Sequence, residues 1–156
     1  LESDIDVSRE DKSRLQEFFE NQKILLASTP SIWPAKGWLS SGFGYRDSPF
    51  TGKKEFHKGI DISTRTGAPI LASANGVVSF SGWDRGYGRV IVIKHGHGFK
   101  TKYAHLKKSL VKKGQHVKRG ETIGLVGASG RTTGSHLHYE VHLNQVPVNP
   151  LHYVMK

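Results

Sequence analysis

Cysteine is absent from this 156-residue chain, and methionine occurs once. Without cysteine, the chain can form neither a disulfide framework nor a metal site with thiolate ligands. No apolar run in the sequence approaches the roughly 18 residues that a membrane-spanning helix requires. Acidic residues are also scarce, since 13 Asp and Glu stand against 23 Lys and Arg, and the formal net charge is +10. Any metal site in this cationic chain must therefore use nitrogen and oxygen ligands.

The length and the charge limit the domain count and the class of partner. A chain of 156 residues can form one domain with an appendage and can bury a core without cross-links. Its positive charge favours an anionic partner: nucleic acid, an anionic membrane surface, or a cell-wall polymer with carboxylates and phosphates. The chain starts with Leu1 and shows no signal peptide, so we expect a processed or trimmed part of a longer protein.

The N-terminal part predicts one helix, over residues 8–27. Ser8 is a candidate N-cap, with Asp11 three residues later in the position that Glu takes in a capping box. Pro30 and Pro34 end the helix, because proline cannot continue it. We interpret residues 1–38 as a helix and linker, either a packing arm or the stump of a longer coiled coil. The apolar stripe at helical spacing consists of Leu15, Phe18, Phe19, Gln22, Leu25 and Leu26.

From Leu39 onward the sequence consists of short β-type runs separated by glycine turns. The runs include PILAS, GVVSFSGW, GRVIVIKH, FKTKYAH, ETIGLVG and HLHYEVHL, and the turns include NG, RGYG and HGHG. This pattern predicts a mainly β fold, an antiparallel sandwich or barrel, preceded by the α-helix. The stretch VKKGQHVKRGETIG resembles lipoyl- and biotin-carrier domains. It lacks the Met-Lys turn where those cofactors attach, so we infer a shared β architecture and not a carrier function.

The stretch TGSHLHYEVH, residues 133–142, concentrates histidine on one face of a predicted strand. With a period of two, His136, His138, Glu140 and His142 face one side, and apolar residues face the other. His136 and His138 then lie ~6.6 Å apart along the backbone and point the same way. One of them could hold a metal while the other reaches a group bound to it, although an isolated pair is more often incidental. Glu140 is either a hydrogen-bond partner of a histidine or a solvated carboxylate.

The stretch EFHKGID supplies a second pair, His57 and Asp61. Zinc binds imidazole nitrogen and carboxylate oxygen, and catalytic zinc sites use three protein ligands and a water molecule. In a straight strand these side chains would stand ~13 Å apart, too far to share an ion. We therefore expect a bend at Gly59, since glycine permits one. The alternative is a surface histidine and an aspartate in an ordinary turn.

A third candidate is His105, at the end of the run FKTKYAH. Alternation places Phe99, Thr101 and Tyr103 on the same face, and His105 arrives at a strand end, where loops build sites. Taken alone, His105 is more simply read as structural. The remaining histidines are interpreted as a hairpin feature (His95 and His97), as a rim residue (His142), and as residues near lysines or the C terminus (His116 and His152).

Four segments together resemble the lysostaphin-type (LytM-like) zinc metallopeptidases, which cut peptide bonds in bacterial cell walls. They are SGFGYRDSPFTGKKEFHKGID, YAHL, GQHVKRGETIGLVGASGRTTGSHLHYEV and VNPLHY, and the resemblance runs from about Trp33 to Tyr153. It implies that residues 39–156 are a zinc metallopeptidase domain with one zinc ion. The site residues that it implies are the zinc ligands His57, Asp61 and His138 and the catalytic residues His105 and His136.

The resemblance also implies a mechanism. Three ligands leave one zinc position for water, whose pKa zinc lowers towards about 7. The chain has no HExxH motif to supply a glutamate base, so His105 and His136 would orient the water, accept its proton and stabilise the oxyanion. Some relatives have lost these ligands and regulate other cell-wall hydrolases. None is missing here, which favours an active enzyme.

The implied substrate is the peptide stems of peptidoglycan, and the implied location is the cell envelope, in the periplasm or outside the cell. The helix is similar to the arms of envelope members, which favours the D-alanyl–diaminopimelate bond. A regulatory envelope protein is a second candidate partner, and any membrane attachment would lie outside this chain. The substrate would lie between the loops before His57 and after Gly127, with Arg46 and Tyr103 as candidate contacts. The candidate cations for the wall polymer are Lys53, Lys54, Lys100, Lys102, Lys107, Lys108, Lys112 and Lys113.

Two other functions stay open at this point. The first is a non-catalytic envelope protein of the same fold that binds peptidoglycan or activates another hydrolase. The second is nucleic-acid binding, which the charge alone suggests. We expect no specific nucleic-acid partner, because the sequence shows no zinc finger, RNP-type aromatic motif or helix-turn-helix.

Overall fold

The computed structural model describes residues 9–154, and within them one helix is followed by short strands and a final 3-10 turn. The helix is α1 (Arg9–Ser28). The strands are β1 (Trp38–Ser41), β2 (Gly44–Asp47), β3 (Lys54–His57), β4 (Ile60–Ser63), β5 (Pro69–Leu71), β6 (Gly76–Asp84), β7 (Gly88–Gly96), β8 (Phe99–Ser109), β9 (His116–Val117), β10 (Thr122–Val126), β11 (His136–Leu143) and β12 (Val146–Val148), and the turn is Pro150–His152.

Helix α1 corresponds to the predicted helix and ends before Pro30. The predicted N-cap, Ser8, lies outside the described residues. The apolar stripe is exposed, at 41–55% for its Leu and Phe side chains, and none of these side chains belongs to the buried core. The coiled-coil interpretation of this helix stays a prediction. Within residues 9–154, no helix combines the length and apolar character needed to cross a membrane.

The strands form one large antiparallel sheet and one small hairpin. In the large sheet the order is β1-β4-β11-β8-β7-β6-β9, with β12 on β11, and with β10 pairing both β8 and β5. Strands β2 and β3 form the separate hairpin. The prediction of a mainly β, antiparallel fold with an N-terminal helix is confirmed.

Strand β11 lies between β4 and β8 and separates the core from the polar face of the sheet. Its residues Leu137, Tyr139 and Val141 are fully buried in the core, as their alternation predicts. The opposite face is also covered, since His138 is 6% exposed and Glu140 is 1% exposed. The pattern therefore predicted which side chains share a face, and the structure adds that both faces are buried.

Strand β8 does not keep its alternation to the end. His105 has a left-handed backbone, with φ of 64°, and the pairing of β7 with β8 shifts register between Arg89 and Ile91. These two features turn His105 to the side of His138, while Tyr103 stays on the core side, opposite Tyr139. Tyr103 is fully buried and bonded to Ser73. The expectations that Tyr103 shares a face with His105 and that it contacts substrate are therefore wrong.

The predicted bend between His57 and Asp61 is confirmed, because β3 ends at His57 and β4 starts at Ile60. The reason for glycine at position 59 differs from the expected one. Gly59 does not have a positive φ. Instead, a β-carbon at this position would collide with the carbonyl oxygen of Tyr139 on the neighbouring β11. Glycine is required here for the close approach of two backbones.

Candidate metal centre

Three buried side chains from three strands converge at one end of the polar face. Nε2 of His57 lies 3.2 Å from Nδ1 of His138 and 3.3 Å from Oδ1 of Asp61. The distance between Nδ1 of His138 and Oδ1 of Asp61 is 2.8 Å. Each of the three residues is 6–7% exposed. The structure thus brings together the three residues predicted as ligands, and they form a group that could hold a metal ion.

In His57 and His138, the ring nitrogen that points away from Asp61 forms a hydrogen bond. This bond determines whether the nitrogen that faces Asp61 is a donor or an acceptor. Nδ1–H of His57 donates to the carbonyl of Gly42 at 2.8 Å, and Nε2–H of His138 donates to Glu140 at 2.7 Å. The remaining ring nitrogens therefore present lone pairs towards the carboxylate of Asp61. Three acceptors this close repel each other unless a cation or a proton lies between them. Their separations are about those of neighbouring ligands on a tetrahedral ion with bonds of about 2.0–2.1 Å, so the donor set fits zinc.

The charges around this group also favour a cation. Burial by itself would raise the pKa of Asp61, but its contacts with His138 and His57 hold it well below its ordinary value, so the carboxylate is anionic. Burial would likewise lower the pKa of His138, but Asp61 and Glu140 raise it above its ordinary value. Arg46 donates to the second oxygen of Asp61 at 3.3 Å and also to Ser41. Arg46 therefore pins its own loop and the carboxylate, and a contact with substrate stays a prediction.

Glu140 holds two histidines from beneath the site. Its carboxylate accepts from Nε2 of His138 and from Nε2 of His142, both at 2.7 Å. Burial would raise the pKa of Glu140, but these two hydrogen bonds hold it well below its ordinary value. The alternative of a solvated glutamate is wrong. A carboxylate in this position fixes the tautomer and the orientation of a metal-binding histidine.

His105 and His136 lie beside the three converging side chains. Their ring centres are 5.0 Å apart, and the ring of His105 is 6.1 Å from that of His138. Nδ1–H of His105 donates to the carbonyl of Ser129 at 2.7 Å, which leaves Nε2 as an acceptor. Burial, together with the neighbouring His136 and His138, lowers the pKa of His105 to about 4. His105 is therefore neutral at pH 7 and can accept a proton.

The ring of His136 is fixed in the same way, by the loop that precedes it. Its Nδ1 lies 2.9 Å from the carbonyl of Gly134 and 3.0 Å from the hydroxyl of Thr132. Its Nε2 lies 3.7 Å from Oδ1 of Asp61. Both histidines that were predicted as catalytic therefore turn Nε2 into the site, and their catalytic roles stay predictions.

An open groove lies above these residues. One wall is formed by the segment Ser48–Thr51 with Glu55 and Phe56, and the other by Arg131–Thr133. The two walls come from the loops before His57 and after Gly127, as predicted. They touch where the guanidinium of Arg131 lies 4.1 Å from the ring centre of Phe50. A peptide in this groove would pass directly over the converging side chains.

Several residues outside the candidate metal centre have a different location or different partners from those that the sequence predicted. His95 belongs to strand β7 and not to the hairpin turn; it is buried, with Nδ1 2.6 Å from the carbonyl of Asn75 and Nε2 2.6 Å from the hydroxyl of Thr101. Lys102 is not a free surface cation, because it pairs with Asp84 at 3.4 Å. The other lysines predicted for the wall polymer are exposed, or half-buried in the case of Lys100.

Two residues at the site were missed in the sequence. Ser129 orients His105, and Tyr87 lines the groove with its ring 5.5 Å from that of His138. Both stand in glycine-rich stretches, RGYG and GASG, which indicated turns and nothing more. The one signal for Tyr87 was an aromatic residue between two glycines.

Three candidate ligands beneath an open groove match the three protein ligands and open position of catalytic zinc sites. The comparison with known sequences gives the family. The chain belongs to peptidase family M23, whose model matches residues 55–150.

Curated relatives agree with this family. The DD-carboxypeptidase/endopeptidase Mpg of Neisseria meningitidis is 47% identical over 113 residues, which are 72% of this chain and 26% of that protein. The peptidoglycan DD-endopeptidase ShyC of Vibrio cholerae is 43% identical over 113 residues, which are 72% of this chain and 26% of that protein. The chain thus spans about a quarter of the length of these relatives.

Solved structures share the fold. A zinc containing peptidase from Vibrio cholerae superposes with a TM-score of 0.74 at 41% identity, over 79% of this chain and 39% of that chain. The catalytic domain of lysostaphin from Staphylococcus simulans superposes with a TM-score of 0.69 at 29% identity, over 75% of this chain and 91% of that chain. The resemblance to lysostaphin-type metallopeptidases is confirmed.

Proposed function

We propose that this chain is a zinc-dependent endopeptidase that hydrolyses peptide cross-links of bacterial peptidoglycan in the cell envelope. One observation carries the proposal: the ligand atoms of His57, Asp61 and His138 lie 2.8–3.3 Å apart beneath an open groove. The family supports peptidase chemistry. A relative named as a peptidoglycan endopeptidase and a neighbour named as a zinc containing peptidase support the substrate and the metal.

Different residues of this chain have different roles in the proposed mechanism. His57, Asp61 and His138 would hold the zinc, which supplies a polarised water molecule and a Lewis acid for the scissile carbonyl. His105 accepts the proton of the attacking water at Nε2, because Nδ1 is already committed to Ser129. His136 turns its Nε2 towards the same space, where it orients the water or, as an imidazolium, donates to the developing oxyanion. The groove walls keep the peptide over these atoms.

We further propose the D-alanyl–diaminopimelate bond as the bond that is cleaved, in the periplasm of a Gram-negative-type envelope. The DD-endopeptidase names of the relatives support this assignment. The charge of the groove supports it as well, since Lys58 and Arg131 are exposed cations in its lining and the peptide stems carry free carboxylates. A regulatory envelope protein remains a proposed second partner.

The test is mass analysis of muropeptides released from purified sacculi. We expect cross-linked dimers to be converted to monomers, with loss of the activity in a chelator and recovery on addition of zinc. The matched variant is His138→Ala, which should lose both bound zinc and activity because it removes one of three ligands. Stoichiometric zinc in this variant would discredit the ligand assignment. Binding to sacculi without release of any muropeptide would favour the non-catalytic alternative.

A further inference from the structure

The carboxylate of Glu140 lies on a covered face of the sheet. It is 1% exposed and accepts from His138 and His142 along its own strand. Lys102 stands directly opposite Glu140 on β8 and points to the same face. A carboxylate as buried as this one requires several donors or cations around it. The hairpin between β6 and β7 supplies the remaining partner.

Tyr87 is the residue of that hairpin that covers Glu140. Its ring centre lies 5.5 Å from the ring of His138. Burial, together with the charge of Glu140 and the interaction of the two side chains, raises the pKa of Tyr87, so the hydroxyl stays protonated beside the carboxylate. Tyr87 thus packs on the predicted ligand His138 and interacts with Glu140, the residue that orients it.

Two charged residues hold Tyr87 in this position. The ammonium of Lys102 lies 3.6 Å from the centre of the Tyr87 ring, in a cation–π contact. The same ammonium lies 3.4 Å from the carboxylate of Asp84, at the start of the turn that contains Tyr87. Lys102 therefore links the turn to the floor of the sheet from which Glu140 projects.

The hairpin also contacts the other half of the site. The carbonyl of Tyr87 accepts from the backbone N–H of His105 at 2.9 Å, at the residue whose left-handed backbone turns it into the site. The next residues contact the loop that orients His105, since the N–H of Arg89 donates to the hydroxyl of Ser129 at 3.0 Å. One turn thus touches the partners of a predicted ligand and of the predicted proton acceptor.

We propose that Tyr87, clamped by Lys102 and Asp84, is a positioning residue that keeps Glu140 bound to Nε2 of His138. In this way it fixes Nδ1 of His138 as the atom that faces the metal. The inference rests on the proposed function, because it takes His138 as a metal ligand. It adds a functional residue outside the predicted ligands and the two predicted catalytic histidines. It predicts that Tyr87, a turn residue, controls metal affinity.

The test compares zinc affinity in three variants, measured by competition with a chromophoric chelator at a temperature where every variant is folded. Tyr87→Phe removes the hydroxyl and keeps the ring, and Lys102→Met removes the cation and keeps the length of the side chain. The matched control is Lys94→Met, on exposed Lys94 of the neighbouring strand β7. We expect roughly 10-fold weaker zinc binding for the first two variants, as for other residues that orient a ligand, and wild-type affinity for the control.

The melting temperature of the metal-free protein separates positioning from simple packing. Weaker zinc binding with an unchanged melting temperature supports the proposal. Wild-type zinc affinity in Tyr87→Phe overturns it, and so does a loss in Lys102→Met that Lys94→Met shares. Because the readout is zinc affinity, a wild-type protein that binds zinc but releases no muropeptide would refute the proposed function and leave this inference to be decided separately.

Discussion

His57, His138 and His105 each have one ring nitrogen bonded to a protein oxygen, and this bond decides which nitrogen faces the groove. The oxygens are the carbonyl of Gly42 for His57, the carboxylate of Glu140 for His138 and the carbonyl of Ser129 for His105. Such bonds set the tautomer before any metal or substrate arrives. A histidine pattern in a sequence cannot contain this information, because two of the three oxygens belong to backbone that is distant in the chain.

The first prediction at the residue scale separates ligands from catalytic histidines. His105→Ala and His136→Ala should each keep stoichiometric zinc, because neither side chain belongs to the converging group of three. Each should lower kcat by about 10²–10⁴-fold, the usual size of a lost acid–base contribution. Zinc content by atomic absorption and turnover on sacculi check both statements. A variant that stays near the wild-type rate would remove that histidine from the mechanism.

The second prediction at this scale concerns His95, which lies away from the site. Burial lowers the pKa of His95, and the hydrogen bond to Asn75 does not offset it. Below the ordinary pKa of about 6.5, the unfolded chain therefore binds a proton more readily than the folded chain. The free energy of unfolding should then decrease as pH falls from 7 to 5.

The variant His95→Gln tests this, since glutamine keeps an amide donor near Asn75 and does not titrate. We expect its free energy of unfolding to change less with pH than that of the wild type, in urea titrations at pH 7, 6 and 5. Equal pH dependence in the two proteins would show that His95 is not the source.

Where apolar and polar residues alternate regularly along a strand, the sequence predicted which side chains share a face. It could not predict where a strand departs from this alternation. In β11 every residue follows the period of two, and the sequence therefore assigned its apolar and polar faces correctly. In β8 the left-handed backbone at His105 breaks the period, and this misplaced Tyr103. A left-handed histidine has no signature in sequence, because its conformation is imposed by contacts with Tyr87 and Ser129.

The close approach of β4 and β11 gives a prediction for Gly59. Gly59→Ala should lower the free energy of unfolding by about 1–3 kcal/mol, because the new methyl group must displace the backbone of Tyr139. It should also weaken zinc binding, since Gly59 lies between His57 and Asp61. The matched control is Gly82→Ala, away from the site, where a β-carbon makes only ordinary van der Waals contact with the ring of Phe80. Denaturant unfolding of both variants compares them, and equal stability would contradict the steric argument.

For the molecule as a whole, composition and motifs predicted the β class, the N-terminal helix and the residues that converge. The environment of those residues could not be predicted, because it depends on the pairing of strands far apart in sequence. Glu140 and Lys102 illustrate this. The sequence left open whether Glu140 bonds a histidine or is solvated, and it placed Lys102 among the surface cations. Glu140 is buried and Lys102 is half-buried, and they lie opposite each other across the pair of β8 and β11.

The net charge of +10 gives a prediction at the same scale. Retention on purified sacculi should decrease as NaCl rises from 50 to 500 mM, because salt screens exposed charges. Cleavage of a small soluble cross-linked peptide should change much less, since the converging side chains are buried. Pelleting assays with sacculi measure the first quantity and chromatography of the peptide the second. Retention that is insensitive to salt would exclude the lysines as the basis of wall binding.

The contact between Phe50 and Arg131 bears on how the proposed polymer substrate would reach the floor of the groove. A cation–π pair at an exposed position contributes about 0.5–1 kcal/mol, which is close to thermal energy. We therefore expect the contact between Phe50 and Arg131 to open and reclose without external help. A polymer chain within a cross-linked network has no free end that could be passed through the groove. A contact between the groove walls that opens sideways would admit the middle of such a chain.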